Sequence, residues 1–204
     1  MKLVFTGIQG CGKGTQARLL EEEFGFTIME MGAQFRKVVK SGTELGNTIK
    51  AVIESWDQVN AELGKQVMET AIESCDDEKV IYDGFIRNEW NIEIFNRVLP
   101  DYQVVLFELS EEKSKQRLLG RMFNPNTGET FMSGTTVDPK TWDELIKRAD
   151  DNEEGIIKRI DLYKELTLPV VEKQKAEWKV IVVNADQSID DVYAELVKKL
   201  ELNK

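Results

Sequence analysis

The chain has no histidine in its 204 residues. Imidazole acid–base catalysis and histidine-ligated metal centres are therefore excluded. Cysteine is almost as rare. Cys11 and Cys75 are too few for a disulfide framework, and Cys11 either lends its backbone to a glycine-rich stretch or offers a reactive thiol there. No apolar run approaches the ~20 residues that span a bilayer and no leader pattern is present, so the expectation is a cytoplasmic protein. Basic clusters are missing too. With 27 Lys and Arg against 37 Asp and Glu, the formal net charge is −10, which argues against nucleic acid or an anionic membrane as a partner. Repeats, low-complexity linkers and heptad seams are also absent. A chain of 204 residues, 41% hydrophobic and 31% charged, is expected to form one globular domain and a monomer. Phosphoryl transfer survives these exclusions, because it rests on positioning and charge stabilisation.

What is present begins at the amino terminus. Leu3-Val4-Phe5 has the apolar, β-prone character of a buried strand. Gly7-Ile8-Gln9-Gly10-Cys11-Gly12-Lys13-Gly14-Thr15 follows, and then a helical pattern through Leu19, Leu20 and Phe24. Strand, glycine loop and helix start together make a phosphate-binding loop. Glycines let successive N–H groups point inward, and the helix terminus adds positive potential. Gly10, Cys11, Gly12, Lys13, Gly14 and Thr15 are the nucleotide-phosphate candidates, with Thr15 beside the nucleotide's magnesium. The general pattern has Ser or Thr directly after the lysine; here Gly14 intervenes.

Further strands are predicted at Phe26–Met29, Lys79–Tyr82, Gln103–Leu109 and Lys179–Val183. Long helical patterns separate them, the alternation of a parallel α/β sheet. Between Gly32 and Ser74 the pattern is helical without a strand, as for an inserted subdomain. Gly120 to Lys147 is rich in turn signals (Asn124-Pro125-Asn126, Thr127-Gly128, Ser133-Gly134) and reads as a lid. A last helix carries Ile189, Val192, Tyr193, Leu196, Val197 and Leu200 on one stripe, with Ser188 and Asp191 as its start signal.

Tyr82-Asp83-Gly84-Phe85-Ile86-Arg87 closes a strand with an acid able to hold magnesium or its waters, and with an arginine able to fork onto phosphate. An Asp-Gly at a strand end is equally a simple turn. Arg117, Arg121, Arg148 and Arg159 flank the lid; each taken singly is equally a solvated surface residue.

These segments together resemble adenylate kinases. The likeness runs through the Gly7–Gln16 loop, Gly32 with Arg36, Lys40–Gly46, Asp83-Gly84-Phe85 with Arg87, and Arg117 with Gly120-Arg121. It continues through Arg148–Glu153 and Arg159, Tyr163, Thr167 and Pro169, so it is collinear over essentially the whole chain. It implies a P-loop NTPase-type α/β fold: a five-stranded parallel sheet flanked by helices, with core 1–29, 76–120 and 148–204. The nucleoside-monophosphate-binding insert would span 30–75 and the lid 121–147. The implied reaction moves the γ-phosphoryl of ATP, with Mg2+, to AMP, giving two ADP.

The resemblance also assigns roles. Lys13, Arg87, Arg121, Arg148 and Arg159 would act on the transferred group. Arg117, Arg121, Thr130, Phe131 and Gln187 would join the loop in holding ATP, Arg117 lying against the adenine and Gln187 reading it through its backbone. Met31, Gly32, Arg36, Asp57, Gln58, Val59, Gly84, Phe85, Arg87, Asn91, Arg148 and Arg159 would contact AMP.

Many adenylate kinases carry a four-cysteine zinc site in the lid. Here Asn124, Thr127, Asp138 and Thr141 stand at those places and offer neither thiolate nor imidazole, so no zinc is expected. They suit a hydrogen-bonded polar staple, as found in other members; read singly they are also ordinary turn residues.

Departures gather on the acceptor side. Gln9 and Ile86 replace prolines, and Glu30-Met31-Gly32-Ala33 replaces Ser-Thr-Gly-Asp. At Phe85–Ile86, where the family's Phe–Pro bond tends to be cis, a cis bond would cost about 3 kcal/mol, leaving its geometry open. Trp56, Asp57 and Gln58 replace Gly-x-Leu, and Asn91 stands for a glutamine that reads the AMP base. Asn88 and Asn91 are similar to UMP/CMP kinases, which have a shorter lid. The alternatives are thus a kinase for CMP, UMP or another monophosphate, or a nucleotide-binding regulatory protein without turnover.

Overall fold

The structure is a computed structural model and describes residues 1–54, 61–131, 134–148, 151–177 and 180–203. Strand β1 (Lys2–Gly7) leads through a glycine turn into helix α1 (Lys13–Phe24), which stops at Gly25 in the left-handed conformation (φ 70°). Strand β2 (Thr27–Glu30) passes directly into α2 (Met31–Lys40), followed by α3 (Glu44–Glu54) and α4 (Ala61–Glu73). Then come β3 (Val80–Asp83), α5 (Glu89–Val98), β4 (Gln103–Glu108) and α6 (Glu111–Gly120). The segment after α6, expected to be a lid, holds β5 (Met122–Phe123) and β6 (Thr130–Phe131), which pair antiparallel. Helix α7 (Glu153–Leu162) runs through a π-helical turn (Tyr163–Thr167) into α8 (Leu168–Glu177). Strand β7 (Ile181–Asn184) and α9 (Ile189–Lys199) complete the chain.

The main sheet is five-stranded and parallel in the order β2-β3-β1-β4-β7. Both faces are covered, which is why the strands read as near-continuous apolar runs rather than alternating ones. Leu3 and Phe5 on one face pack with Val105, Phe107 and Val183 against Leu20, Leu118, Ile160 and Leu196. Val4, one residue out of phase, points to the other face with Val80, Tyr82 and Val104, under Ile49, Met68 and Phe95. Phe5 and Phe107 meet edge to face at 4.9 Å. Burying side chains of this size contributes roughly 2–3 kcal/mol each, so the central strands anchor the sheet.

All five predicted strands form, with edges moved by a residue or two. Lys179 lies outside the described residues, and β7 starts at Ile181. The predicted last helix is α9; the Ser188 hydroxyl accepts from the Asp191 N–H at 3.1 Å, the cap expected to be worth about 1 kcal/mol. Its stripe is shorter than predicted, because Ile189 is 49% exposed in the first turn. The Phe85–Ile86 peptide is trans.

Strand order reverses around β1, between β3 and β4. In open parallel sheets the crevice at the carboxyl ends of the strands beside that reversal is the usual ligand site. The glycine loop after β1 and Asp83 at the end of β3 both open there.

Candidate active site

The loop after β1 is shaped by close approach. At Gly7 (φ 142°) a Cβ would stand 2.5 Å from the Phe107 carbonyl oxygen, and at Gly10 (φ 77°) it would stand 3.1 Å from Leu118 Cγ. The Ser114 hydroxyl, fully buried on α6, donates to the Gln9 carbonyl at 2.7 Å and pins the loop's outer limb. Gly12 takes φ 95° as the N-cap residue of α1 and offers no side-chain cap. The first helical bond runs from Gln16 N–H to Gly12 C=O. The amides of Lys13, Gly14 and Thr15 are therefore those a helix start leaves unpaired, which is what an anion requires. The Lys13 ammonium folds over this mouth, donating to the carbonyls of Gly7 (2.8 Å) and Ile8 (3.3 Å) and lying 3.3 Å from Cys11 Sγ.

Asp83 ends β3 beside this loop: a Cβ on Gly14 would lie 3.9 Å from its Oδ2 and 3.9 Å from Arg18 Nη1. Desolvation raises the Asp83 carboxyl above its ordinary value, against the lowering charge of Lys13; Glu30 adds to the rise, and Arg87 and Arg18 oppose it. A carboxylate destabilised in this way gains from a divalent cation. With the Thr15 hydroxyl on the neighbouring turn the donors are oxygen only, which fits magnesium.

Arg87 follows the positive-φ Gly84 (φ 72°), and its Nε donates to the Gly84 carbonyl at 3.3 Å. Its backbone is held twice. The Asn91 Oδ1 accepts from the N–H groups of Arg87 (2.9 Å) and Asn88 (3.0 Å), and the Thr167 hydroxyl donates to the Arg87 carbonyl at 3.0 Å. Thr167 closes the π-helical turn, so that irregularity has a local purpose. Asn91, 4% exposed, thus starts α5 and anchors Arg87, with its amide nitrogen on Met68 Sδ. Phe85 and Met31 are likewise buried, at 1% and 5%, within the core under α2 to α5. On the same side Gly32 lies under the Arg36 guanidinium, whose Nη1 would be 3.2 Å from a Cβ there. Asp57, Gln58 and Val59 fall outside the described residues.

At the boundary of the lid two predicted arginines converge on one acid. Arg121 makes a two-pronged contact with Asp151 (Nε to Oδ2 2.8 Å, Nη2 to Oδ1 2.7 Å), and Arg159 Nη2 reaches Oδ1 at 2.8 Å. The Asp151 side chain is fully inaccessible. Burial pushes its carboxyl up, but hydrogen bonds and charge from Arg121 and Arg159 outweigh this and hold it below the usual carboxylate range. Arg148 lies with its Cζ 4.3 Å from the centre of the Phe123 ring, linking the end of the lid to β5. In the sequence Asp151 looks like one more acid before a helix. Only the fold shows that it faces back toward α6.

Arg117 Nη2 donates to the Ala185 carbonyl at 3.0 Å, beside Gln187 in the loop before α9. Gln187 is fixed by its own side chain, donating to the Asn184 carbonyl (2.9 Å) and Glu195 (2.6 Å). Thr130 and Phe131 form β6, opposite Phe123 and Met122.

The lid residues meet in two turns of the same design. Asn124 Oδ1 accepts from the N–H of Asn126 (2.9 Å) and Thr127 (3.3 Å); Asp138 Oδ1 accepts from Lys140 (2.8 Å) and Thr141 (3.3 Å). The turns are joined by Asn124 Nδ2, which lies 2.7 Å from Asp138 Oδ2, 3.1 Å from Thr141 Oγ1 and 3.1 Å from Asp143 Oδ2. Thr141 also donates to Asp143 at 2.8 Å. Asp143 is thus a further member that the four-position pattern did not contain, while the Thr127 hydroxyl stays within its own turn, accepting from Glu129 N–H at 3.2 Å. Among the described residues no group of three acidic or cysteine side chains is placed to hold a metal.

A phosphate loop with an uncapped helix, an acid across the strand reversal and arginines gathered on Asp151 are the features of a P-loop phosphotransferase of the nucleoside monophosphate kinase class. A family model for adenylate kinase matches residues 5–179. The adenylate kinase of Petrotoga mobilis is 32% identical over 208 residues, covering 96% of this chain and 95% of that one. That of Alkaliphilus oremlandii is 30% identical over 213 residues, covering 98% of each. UMP-CMP kinase 3 of Arabidopsis thaliana is 34% identical over 193 residues, covering 93% of this chain and 84% of that one. The chain belongs to the adenylate kinase family.

Proposed function

We propose that this protein transfers the γ-phosphoryl group of ATP to AMP, reversibly, giving two ADP. The observation that carries this reading is the drawing of Arg121 and Arg159 onto the one buried carboxylate of Asp151, at the edge of a lid. A protein that only binds nucleotide has no need of such a charge cluster, whereas a transferred phosphoryl spreads its charge over equatorial oxygens that arginines stabilise.

In this reading the amides of Lys13 to Thr15 cradle the donor's phosphates, and Lys13 turns from the loop carbonyls to bridge the β and γ groups. Arg117, Thr130, Phe131 and Gln187 border the donor. Arg36 and Arg87 fork onto the acceptor's phosphate, while Met31, Gly32, Asp57 to Val59, Gly84, Phe85 and Asn91 shape its pocket, Met31, Phe85 and Asn91 from beneath. An acceptor phosphate oxygen attacks the γ-phosphorus. A new P–O bond forms while the bond to the β,γ-bridging oxygen breaks, and that electron pair leaves with ADP. Arg121, Arg148 and Arg159 surround the group in flight. Thr15 and Asp83 would lie beside the magnesium bound with the nucleotide, which would supply charge neutralisation to the phosphates. The lid, 121–147, closes over the core (1–29, 76–120, 148–204) and the acceptor insert (30–75) to exclude water. The protein works as a monomer in the cytoplasm; among the described residues no helix is long and apolar enough to cross a membrane.

A second reading, a UMP/CMP kinase, is favoured by one observation: the 34% identity to UMP-CMP kinase 3 of Arabidopsis thaliana. An acceptor panel separates the two. With ATP and magnesium, diphosphate formation is followed from AMP, CMP, UMP, GMP and dTMP separately. A strong preference for AMP supports the first reading, and preference for CMP or UMP replaces it with the second. No product from any acceptor, with ATP still bound, replaces both with a regulatory binder.

A further inference from the structure

We propose that Glu30 is a charge gate on the acceptor side: an internal carboxylate that holds Arg36, which an incoming phosphate must recruit, and so sets acceptor affinity. This rests on the reading of Arg36 as a clamp for the acceptor's phosphate.

Glu30 is the last residue of β2 and lies in register with Asp83 on β3, at the carboxyl edge of the sheet where the loop and Arg87 gather. It is also the N-cap residue of α2, in the extended conformation (φ −94°, ψ 122°) that suits a capping side chain, yet its side chain makes no cap hydrogen bond. A serine, which stands there in the resembling sequences, would naturally cap. The carboxylate turns instead to two guanidinium groups. Arg18 of α1 comes within 3.9 Å and Arg36 of α2 within 3.8 Å.

Gly32 leaves room for this arrangement. Arg36 is folded back over the first turn of α2, with Nη1 at 3.2 Å from where a Cβ on Gly32 would be, and its side chain is 69% exposed. Distances of 3.8 and 3.9 Å are those of ion pairs held by charge, so the arginines are released without breaking a tight two-pronged contact. An acceptor phosphate competing for the same fork must displace Glu30 and then sits beside its negative charge. That repulsion lowers the pocket's affinity for the acceptor's phosphate. Glu30 acts through Arg36 and is a positioning residue.

The test is calorimetric titration of AMP into the wild-type protein, Glu30→Gln, Glu30→Ser, Arg36→Ala and the double variant Glu30→Gln/Arg36→Ala. Thermal unfolding of each reports on the fold, and Glu30→Ser restores a capping side chain, so loss of α2 does not mimic the effect. Both Glu30 variants should bind AMP about three- to tenfold more tightly. In the Arg36→Ala background the gain should shrink to less than twofold. The proposal is overturned if Arg36→Ala weakens AMP binding but neither Glu30 variant tightens it, or if the gain persists without Arg36. If Arg36→Ala leaves AMP binding unchanged, the reading of Arg36 as the clamp fails first, and the gate with it.

Discussion

Trp142 stands in the second lid turn where Gly128 stands in the first. Both have left-handed backbone, φ 63° and 77°, and the N–H of each donates four residues back, to the carbonyls of Asp138 (2.8 Å) and Asn124 (2.9 Å). Glycine takes this conformation freely, whereas a bulky L-residue pays roughly 1–2 kcal/mol. The Trp142 side chain is 81% exposed, so little apolar burial offsets that strain.

The replacement Trp142→Gly should therefore stabilise the lid turn by about 1 kcal/mol. Hydrogen exchange at the Trp142 to Leu145 amides should slow severalfold. Faster exchange there would mean that the indole holds the turn by contacts that outweigh the strain.

Removing the charge at Asp151 while keeping its shape, as Asp151→Asn, leaves Arg121 and Arg159 facing a neutral amide. Because the acid is fully inaccessible while the arginines are 17% and 22% exposed, the cost to folding should be about 1–3 kcal/mol, below that of a wholly buried pair. Turnover should fall on the order of 10- to 100-fold through misplaced arginines. Denaturant melts and steady-state kinetics check the two effects. A variant with full turnover would show that Asp151 does not position them.

The lid and its boundary also predict acid sensitivity. Asp138 is pushed up by burial but held lower overall by hydrogen bonds from Asn124, Lys140 and Thr141; Asp143 is lowered by Thr141, Asn124 and Asn126. Asp151 is lowered by its two arginines despite burial. A carboxyl with a depressed folded pKa binds protons more readily when unfolded. Its stabilisation is present above the unfolded value of about 3.9 and is lost as pH falls through the folded value. Urea midpoints should be insensitive to these groups between pH 6 and 7 and fall steeply below about pH 4. The double variant Asp138→Asn/Asp143→Asn should start lower at neutral pH and fall less. An equally steep fall would place the acid-sensitive groups elsewhere.

If the polar staple occupies the place of a zinc site, cysteines at Asn124, Thr127, Asp138 and Thr141 should create one. The fourfold cysteine variant should bind about one zinc per chain tetrahedrally, and chelation should lower its melting temperature. Wild-type protein should show neither property; stoichiometric zinc in it would contradict the staple.

The sequence carried the sheet and the loop clearly because their signals are local. Leu3-Val4-Phe5 before a glycine loop, or Ser188 three residues before Asp191, is decided within a few residues. The paired turns of the lid were also legible, through the inner spacing of Asn124 to Thr127 and of Asp138 to Thr141. What stayed hidden was tertiary. Asp151 reads as a helix-start acid until α7 is packed against α6, and Asp143 joins the staple only once the two turns face each other. Asn91 looks available for a base, but its side chain is bound to the backbone around Arg87. Glu30 could be seen to depart from the resembling sequences, yet nothing in its neighbours showed that it would face Arg18, twelve residues earlier on another element.

The most direct test of the central claim is a time course of nucleotides in a mixture of ATP, AMP and magnesium, with Lys13→Ala as the control. The account predicts that two ADP appear for each ATP and AMP consumed. It also predicts that the reaction runs backward from ADP alone and that Lys13→Ala slows it by orders of magnitude. ATP that binds but stays intact, with AMP and every other monophosphate, would contradict it.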